Sequence, residues 1–476
     1  MIDQGPHLNG DYIIAADQRL SQSIIWEIQR RYFLRNGIRP WLENIIPSHI
    51  SSSPVMVRAY SQVVWGYLRD CAAAGADFSL DTDQPIYIVE LGAGSGRLAY
   101  HFLHHFLPRY KNSPFDLPPI KFVMTDFVPE ILQFWQNHER LRPYVQSGLL
   151  DFALFDVMET RPLTLINNNL TLTPDQMTNP LILIANYFFD SIPQDSFMLE
   201  EGQLCQNLLT LYSSQPEPDL AEATIWERLA LAYEAIPLEK PYYQEESYNQ
   251  ILDSYEAQLP DTMLTFPNVG LDCVRFWQGF GSGRLLLLTS DRGYTLAESM
   301  LDLNAPLPNL HGSFSLMVNY HAISQYVEMS GGLALHPDHY QDNLQVLAYV
   351  LGARPQNVLE TRHTFTEAVV QGGPDDFYAL KLALEDYTHT FTLAQILSYL
   401  RLSGYDAEIF MACFPALLTQ VRRESDVWYA DVYAVVVQVW LQYLPLSEDD
   451  DVAAKIILLL NEMGCSAAEA AVLGLV

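Results

Sequence analysis

The residues with the clearest chemical potential form one run: Ile86-Tyr87-Ile88-Val89-Glu90-Leu91-Gly92-Ala93-Gly94-Ser95-Gly96-Arg97-Leu98-Ala99-Tyr100-His101-Phe102-Leu103. An apolar, strand-like stretch leads into a glycine-rich turn and then into an amphipathic helical pattern, the context in which such glycines serve a ligand. Glycine suits the turn because the backbone bends tightly and a bound cofactor must approach it with no Cβ in the way. Spacing separates the candidate cofactors. A dinucleotide fingerprint, G-x-G-x-x-G, needs its third glycine at position 97, where this chain has Arg97. The pattern present is E-x-G-x-G-x-G, with Glu90 two residues before Gly92 and further glycines at Gly94 and Gly96. Two acids follow where strands should end. Asp126 closes Lys121-Phe122-Val123-Met124-Thr125-Asp126, a place from which a carboxylate accepts both ribose hydroxyls, and Asp156 follows Leu154-Phe155, where it can meet an adenine amino group. Either acid alone also fits a turn or a helix cap; their common placement at successive carboxyl ends favours a shared ligand crevice.

The E-x-G-x-G-x-G loop is similar to that of class I S-adenosylmethionine-dependent methyltransferases, which implies S-adenosyl-L-methionine as cofactor; a nicotinamide site is the disfavoured alternative. Further along, Leu181-Ile182-Leu183-Ile184-Ala185-Asn186-Tyr187-Phe188-Phe189-Asp190-Ser191-Ile192-Pro193 places Ala-Asn-x-Phe-Phe-Asp-x-x-Pro after a strand. This run resembles the MidA family of methyltransferases, the mitochondrial complex I assembly group and its bacterial relatives. The likeness extends to Gly283-Arg284-Leu285-Leu286-Leu287-Leu288 before Asp291-Arg292-Gly293-Tyr294, and covers roughly residues 20 to 335. It implies a Rossmann-like enzyme that moves a methyl group from S-adenosylmethionine, with at least one member acting on a protein arginine. Two departures fall on the acceptor side. The family's Asn-Glu-Phe-Phe-Asp reads Asn186-Tyr187-Phe188-Phe189-Asp190, and its later Asp-x-Thr-x-His stretch reads Ser313-Phe314-Ser315-Leu316-Met317-Val318-Asn319-Tyr320.

Methyl transfer from a sulfonium is an in-line displacement, so the protein mainly aligns the partners and excludes water. An arginine acceptor also needs carboxylates to orient its guanidinium. Asp190 is the candidate catalytic residue, with Asn186 and Tyr187 shaping the rim; packing under the sheet edge is an equal reading for the aromatic run. His101, His104 and His105 share a helix face but lack a carboxylate or Cys partner in register, so no metal is expected. A binding or assembly factor that keeps the fold without transferring methyl groups is the alternative function.

The elements that must position these residues follow from texture. Residues 1–80 read as a helical N-terminal segment or lid, with helices over 21–34 and 56–74. Residues 81–335 alternate short apolar strands (86–91, 120–125, 150–155, 181–185, 285–289) with helices, the pattern of βαβ units and a mainly parallel sheet. An insert over about 200–280, with a helix at 248–259, is too long for a plain connection. Residues 340–476 read as all helix, from 342–351 through 452–463; turns near Gly404 and Gly464 resemble those of tetratricopeptide hairpins, but their 60-residue spacing does not match that repeat, and a plain bundle fits equally. The expected fold class is α/β, a Rossmann-like class I methyltransferase sheet with a helical N-terminal segment, an inserted subdomain and an all-α C-terminal domain.

Composition bounds the partners. The 476 residues include 57 Asp+Glu against 26 Lys+Arg, a formal charge of -31 that repels phosphate backbones and argues against nucleic acid. The same surface favours protein partners or substrates with basic residues. The five scattered cysteines suit a reducing compartment, the N-terminus lacks the pattern of a signal peptide, and no apolar run approaches the roughly 20 residues of a membrane span. A cytoplasmic protein with no membrane span is expected.

Overall fold

The computed structural model describes residues 12–46, 50–73, 80–159, 161–217, 219–222, 224–339, 344–423, 428–447 and 451–465. Its principal strands, in chain order, are β1 (Tyr12–Arg19), β2 (Ile86–Glu90), β3 (Ile120–Asp126), β4 (Leu150–Leu154), β5 (Leu181–Asn186), β6 (Asp195–Glu200), β7 (Gln203–Ser213), β8 (Leu229–Pro237), β9 (Thr262–Phe266), β10 (Leu285–Asp291), β11 (Leu333–Leu335) and β12 (Gln345–Leu351). The principal helices are α1 (Ile24–Asn36), α2 (Arg39–Leu42), α3 (Pro54–Ala72), α4 (Arg97–Lys111), α5 (Pro129–Asn137), α6 (Glu246–Gln258), α7 (Asn268–Gln278), α8 (Tyr320–Met329), α9 (Pro374–Leu384), α10 (Leu393–Leu402), α11 (Ala407–Arg423), α12 (Tyr429–Gln442) and α13 (Asp451–Glu462). They divide between two compact units: Met1–Pro47, Gly66–Gly94 and Phe115–His363 form one, and Ser48–Trp65, Ser95–Pro114 and Thr364–Val476 form the other.

The first unit is built on a seven-stranded sheet ordered β11-β12-β10-β5-β2-β3-β4. β2 runs parallel to β3 on one side (Ile86 opposite Ile120) and to β5 on the other (Ile88 opposite Ile182), and β10 continues parallel to β5. All five residues of β2 and all seven of β10 are buried, as continuous apolar runs covered on both faces require. Chain connections leave β2 in opposite directions across the sheet, so its carboxyl end is the point where open α/β sheets form a ligand crevice. One core joins the sheet residues Val89, Leu183, Leu287, Leu347 and Tyr349 to α6 (Ile251, Tyr255), α7 (Val274, Trp277) and α8 (Ile323, Val327).

The expected helix over 342–351 is instead β12, antiparallel to β10 with Leu285 opposite Leu351. Periodicity alone does not separate a short buried helix from a strand, and the run Val346-Leu347-Ala348-Tyr349-Val350-Leu351 is apolar at every position. Residues 342 and 343 of that expectation lie outside the described residues. The helical C-terminal part therefore starts later than 340. A second correction concerns the N-terminus: Tyr12–Arg19 is a strand, not a helix, pairing antiparallel with β7 (Tyr12 opposite Ser213). It joins the sheet formed by the insert, ordered β1-β7-β6-β9 with β8 also on β7, so two segments distant in sequence build one layer.

The second unit buries a separate helical core that includes Ile396 and Leu400 of α10, Phe410 and Leu417 of α11, Val436 and Val439 of α12, and Ile456 and Leu459 of α13. The two tetratricopeptide-like turns share a left-handed glycine after a helix end, Gly404 (φ 69°) and Gly464 (φ 74°), a cap common to helices of many folds. The second fragment runs past 465, outside the described residues. No described helix is long and apolar enough to cross a membrane.

Candidate cofactor site

Three left-handed residues set the turn after β2: Gly92 (φ 61°), Gly94 (φ 49°) and Gly96 (φ 77°). Side chains strongly disfavour this region, so glycine here is a backbone requirement. Neighbouring strands hold the turn. Leu91 donates its amide to the Ile184 carbonyl at 2.8 Å, Ala93 donates to the Thr125 carbonyl at 2.9 Å, and the Trp135 indole of α5 donates to the Gly94 carbonyl at 2.9 Å. Space above it is tight: a Cβ on Gly92 would stand 3.3 Å from the Phe188 ring, and one on Gly94 2.7 Å from the Trp41 indole.

Asp126 ends β3 beside this turn. Its Oδ2 accepts from the Gly94 amide at 3.3 Å and its Oδ1 from the Val128 amide at 3.1 Å, so the side chain is fixed at the mouth of the loop. Burial raises its carboxyl from 3.8 to about 6, against the opposing pull of those amides. Glu90, 5% exposed, is pushed well above the usual carboxylate range, first by burial and then by the Asp126 charge. Burial thus disfavours its charged form, and its Oε2 is buried without a hydrogen-bond partner. A buried, unsatisfied polar oxygen next to a turn of bare glycines fits a ligand that brings its own polar groups. S-adenosylmethionine, the cofactor that the loop's resemblance implies, is a ligand of that kind.

Asp156 lies just beyond β4, at the same end of the sheet, and is already engaged. Its carboxylate takes both guanidinium nitrogens of Arg30 from α1, at 3.0 and 2.5 Å, and the Met158 amide at 3.0 Å. The Arg30 guanidinium also lies 4.7 Å over the Phe127 ring, and Phe33 of α1 contacts both Phe127 and Trp41. Sequence reasoning missed Arg30, Phe33 and Trp41, because a polar or aromatic residue on an otherwise ordinary amphipathic helix carries no signal of what it faces.

The acceptor-side candidates are placed differently. Asn186 and Tyr187 are half-buried at the carboxyl end of β5, and Tyr187 takes a left-handed backbone (φ 48°) while donating its amide to the Ser290 carbonyl at 2.9 Å. Asp190 is only 2% exposed, so it faces the interior rather than a rim. Its neighbour Asp291, fully buried, accepts the amides of Phe188, Phe189 and Asp190 at 3.1, 3.1 and 3.3 Å, a role absent from the sequence reading. Burial raises the carboxyls of both, and Asp291 is raised well above the usual range with help from the Asp190 charge. In the other unit, His101 is half-buried with its Nδ1 2.7 Å from the Ser52 carbonyl, and desolvation lowers its imidazole to about 4, leaving it neutral.

Residues 78–262 match the sequence family described as "Putative S-adenosyl-L-methionine-dependent methyltransferase". No match is found among curated proteins. Similar solved structures include an uncharacterized protein from Burkholderia thailandensis (10% identity, 73% of this chain and 90% of that one, TM-score 0.44). A second superfamily member from Burkholderia thailandensis, bound to S-adenosyl-homocysteine, is 11% identical over 63% of this chain and 78% of that one, with TM-score 0.39. Magnesium protoporphyrin IX methyltransferase from Synechocystis with bound S-adenosyl-homocysteine is 9% identical over 68% and 99%, with TM-score 0.29. Residues 78–262, which hold the glycine turn, both strand-end acids and the Asn186–Asp190 segment, are thus similar to the S-adenosylmethionine-dependent methyltransferases, the class that the MidA resemblance implies, with S-adenosylmethionine as the cofactor of that class.

Proposed function

We propose that the protein transfers a methyl group from S-adenosylmethionine to a protein acceptor with a basic side chain, an arginine being the candidate the MidA resemblance suggests. The observation behind the cofactor half is the turn at Gly92, Gly94 and Gly96, pinned to β3 and β5 beside the raised carboxyls of Asp126 and Glu90. Bound there, the cofactor supplies an electrophilic methyl on a sulfonium. The bond from sulfur to methyl breaks as the bond from acceptor nitrogen to methyl forms, and the acceptor nitrogen sheds one proton to water. The glycine backbone and Asp126 orient the nucleoside, Glu90 offers its unpartnered Oε2 to the same ligand, and Asn186 and Tyr187 border the acceptor side. The excess of acidic residues supports a basic partner, and a cytoplasmic setting fits the scattered thiols. We read the C-terminal helices as a docking module for that partner.

A second reading, an assembly factor that binds the cofactor without transferring from it, is favoured by the burial of Asp190, since a guanidinium needs a carboxylate it can reach. Titration calorimetry with S-adenosylmethionine and S-adenosylhomocysteine tests the shared premise: binding in the micromolar range is expected, and none at millimolar ligand sinks both readings. Methyl-labelled cofactor incubated with basic protein substrates separates them. Label in a protein supports the enzyme, and binding with no label in any protein supports the assembly factor.

A further inference from the structure

An adenine bound at the end of β3 and β4 needs an aromatic face to stack on and an acceptor for its amino group. The chain offers both, the Phe127 ring and the Asp156 carboxylate, and Arg30 holds both at once, 4.7 Å above the ring and bidentate on the carboxylate. At the adjoining ribose end, the Trp41 indole lies so close to Gly94 that a single added carbon would collide with it at 2.7 Å. These contacts come from one short stretch, α1 and α2, joined at Gly37 (φ 53°) and tied together by a tilted contact between the Phe33 and Trp41 rings, 5.9 Å between centroids.

The geometry points to Arg30 and Trp41 as internal occupants of the adenosine end of the site, exchanged for the cofactor's adenine and ribose when it enters. The inference rests on the S-adenosylmethionine reading above and adds to it the residues that regulate entry. Chemistry makes the exchange reversible. A guanidinium stacked on an aromatic ring and paired to a carboxylate imitates what an adenine does there, a flat group that stacks and donates to the same oxygens. The pair is also partly solvated, with side-chain exposures of 35% for Arg30 and 18% for Asp156, so water can take over its hydrogen bonds when it opens. No carboxylate needs to be buried alone, since the incoming amino group replaces the guanidinium as donor to Asp156.

A site whose competent form is a fraction of the population binds with an affinity reduced by that fraction. Replacing Arg30 by Gln, or Trp41 by Ala, therefore raises the competent fraction, and calorimetry should show S-adenosylmethionine binding tightened by about threefold to tenfold in each variant. Thermal melting in the same buffers confirms that the variants are folded. Hydrogen exchange provides a second readout on the unaltered protein: saturating S-adenosylhomocysteine should speed exchange of amides in residues 38–42 as Trp41 is displaced. Unchanged or weakened binding in Arg30→Gln, with the unaltered protein binding normally, overturns the inference and leaves the cofactor reading standing. Slower exchange over 38–42 also overturns it, because the segment would then be closing on the ligand. Absence of binding in the unaltered protein and in both variants overturns the cofactor reading and this inference together.

Discussion

The turn after β2 and the turn after β5 occupy neighbouring positions at one end of the same sheet, yet they are built on different principles. After β2, the left-handed positions fall on glycines, and the nearby acids Glu90 and Asp126 keep oxygens at the mouth of the loop, one of them unpartnered. After β5, the left-handed position falls on Tyr187, and the two acids turn inward, with Asp291 spent on three backbone amides and Asp190 buried next to it. On the proposed reading the first turn gives up side chains so that a ligand can reach its backbone, whereas the second uses side chains to fix its own backbone. Cofactor chemistry is thus better served than acceptor chemistry, and the same contrast separates the enzyme from the assembly factor.

The largest expected effect is at Gly94. Gly94→Asp puts a side chain on a left-handed residue, 2.7 Å from the Trp41 indole and next to Asp126, and should weaken S-adenosylmethionine binding by at least about a hundredfold in calorimetry, close to 3 kcal/mol. Binding within a few-fold of normal would mean that the glycines serve packing alone. Next comes Asp291. Asp291→Ala strands three buried amides, and at roughly 1 kcal/mol each it should lower stability by about 3 kcal/mol in denaturant unfolding, with Asp291→Asn, which keeps an acceptor oxygen, costing less. If Asp291→Ala left stability unchanged and abolished methyl transfer, the second turn would be catalytic rather than self-supporting.

A smaller effect is set by pH. Asp126, raised from 3.8 to about 6 by burial, accepts hydroxyls best when ionised. Affinity for S-adenosylmethionine should therefore fall by about tenfold, or ~1.4 kcal/mol, between pH 7.5 and pH 5, and Asp126→Asn should flatten that dependence. The sign for folding is opposite: an acid whose folded value is raised binds more protons in the native state, so its contribution to stability declines as pH rises from about 4 to about 6. A flat affinity profile in the unaltered protein would detach Asp126 from the ligand.

What the sequence disclosed follows the same division. The five central strands, the glycine turn and the acids after it were legible because each is a local pattern: an apolar run, a spacing, an acid at a strand end. Three features were not. Residues 346–351 passed for a helix because a run apolar at every position has no period to read. Tyr12–Arg19 was hidden because its partner, β7, lies some 190 residues away, and strand pairing is a long-range fact. The engagement of Asp156 by Arg30, across 126 residues, was invisible for the same reason, and so was the burial of Asp190 beneath Asp291.

The smallest expected effect bears most directly on what the second turn is for. Tyr187 sits at φ 48°, where a side chain costs on the order of 1 kcal/mol, and the surrounding hydrogen bonds over-determine that conformation. Tyr187→Gly relieves the strain and loses the packing of a half-buried ring, two terms of similar size and opposite sign, so stability should change by less than about 1 kcal/mol. Cofactor affinity should not move, because the hydrogen bond that fixes the glycine turn runs from the Gly94 amide to Asp126 of β3 and does not involve Tyr187. Transfer of labelled methyl to a basic protein should fall about threefold, as a bordering ring that orients the acceptor is lost. Were transfer, affinity and stability all to stay the same, the strained tyrosine would have no work at the acceptor end, and the turn after β5 would be a brace for the sheet with the cofactor loop as the working half.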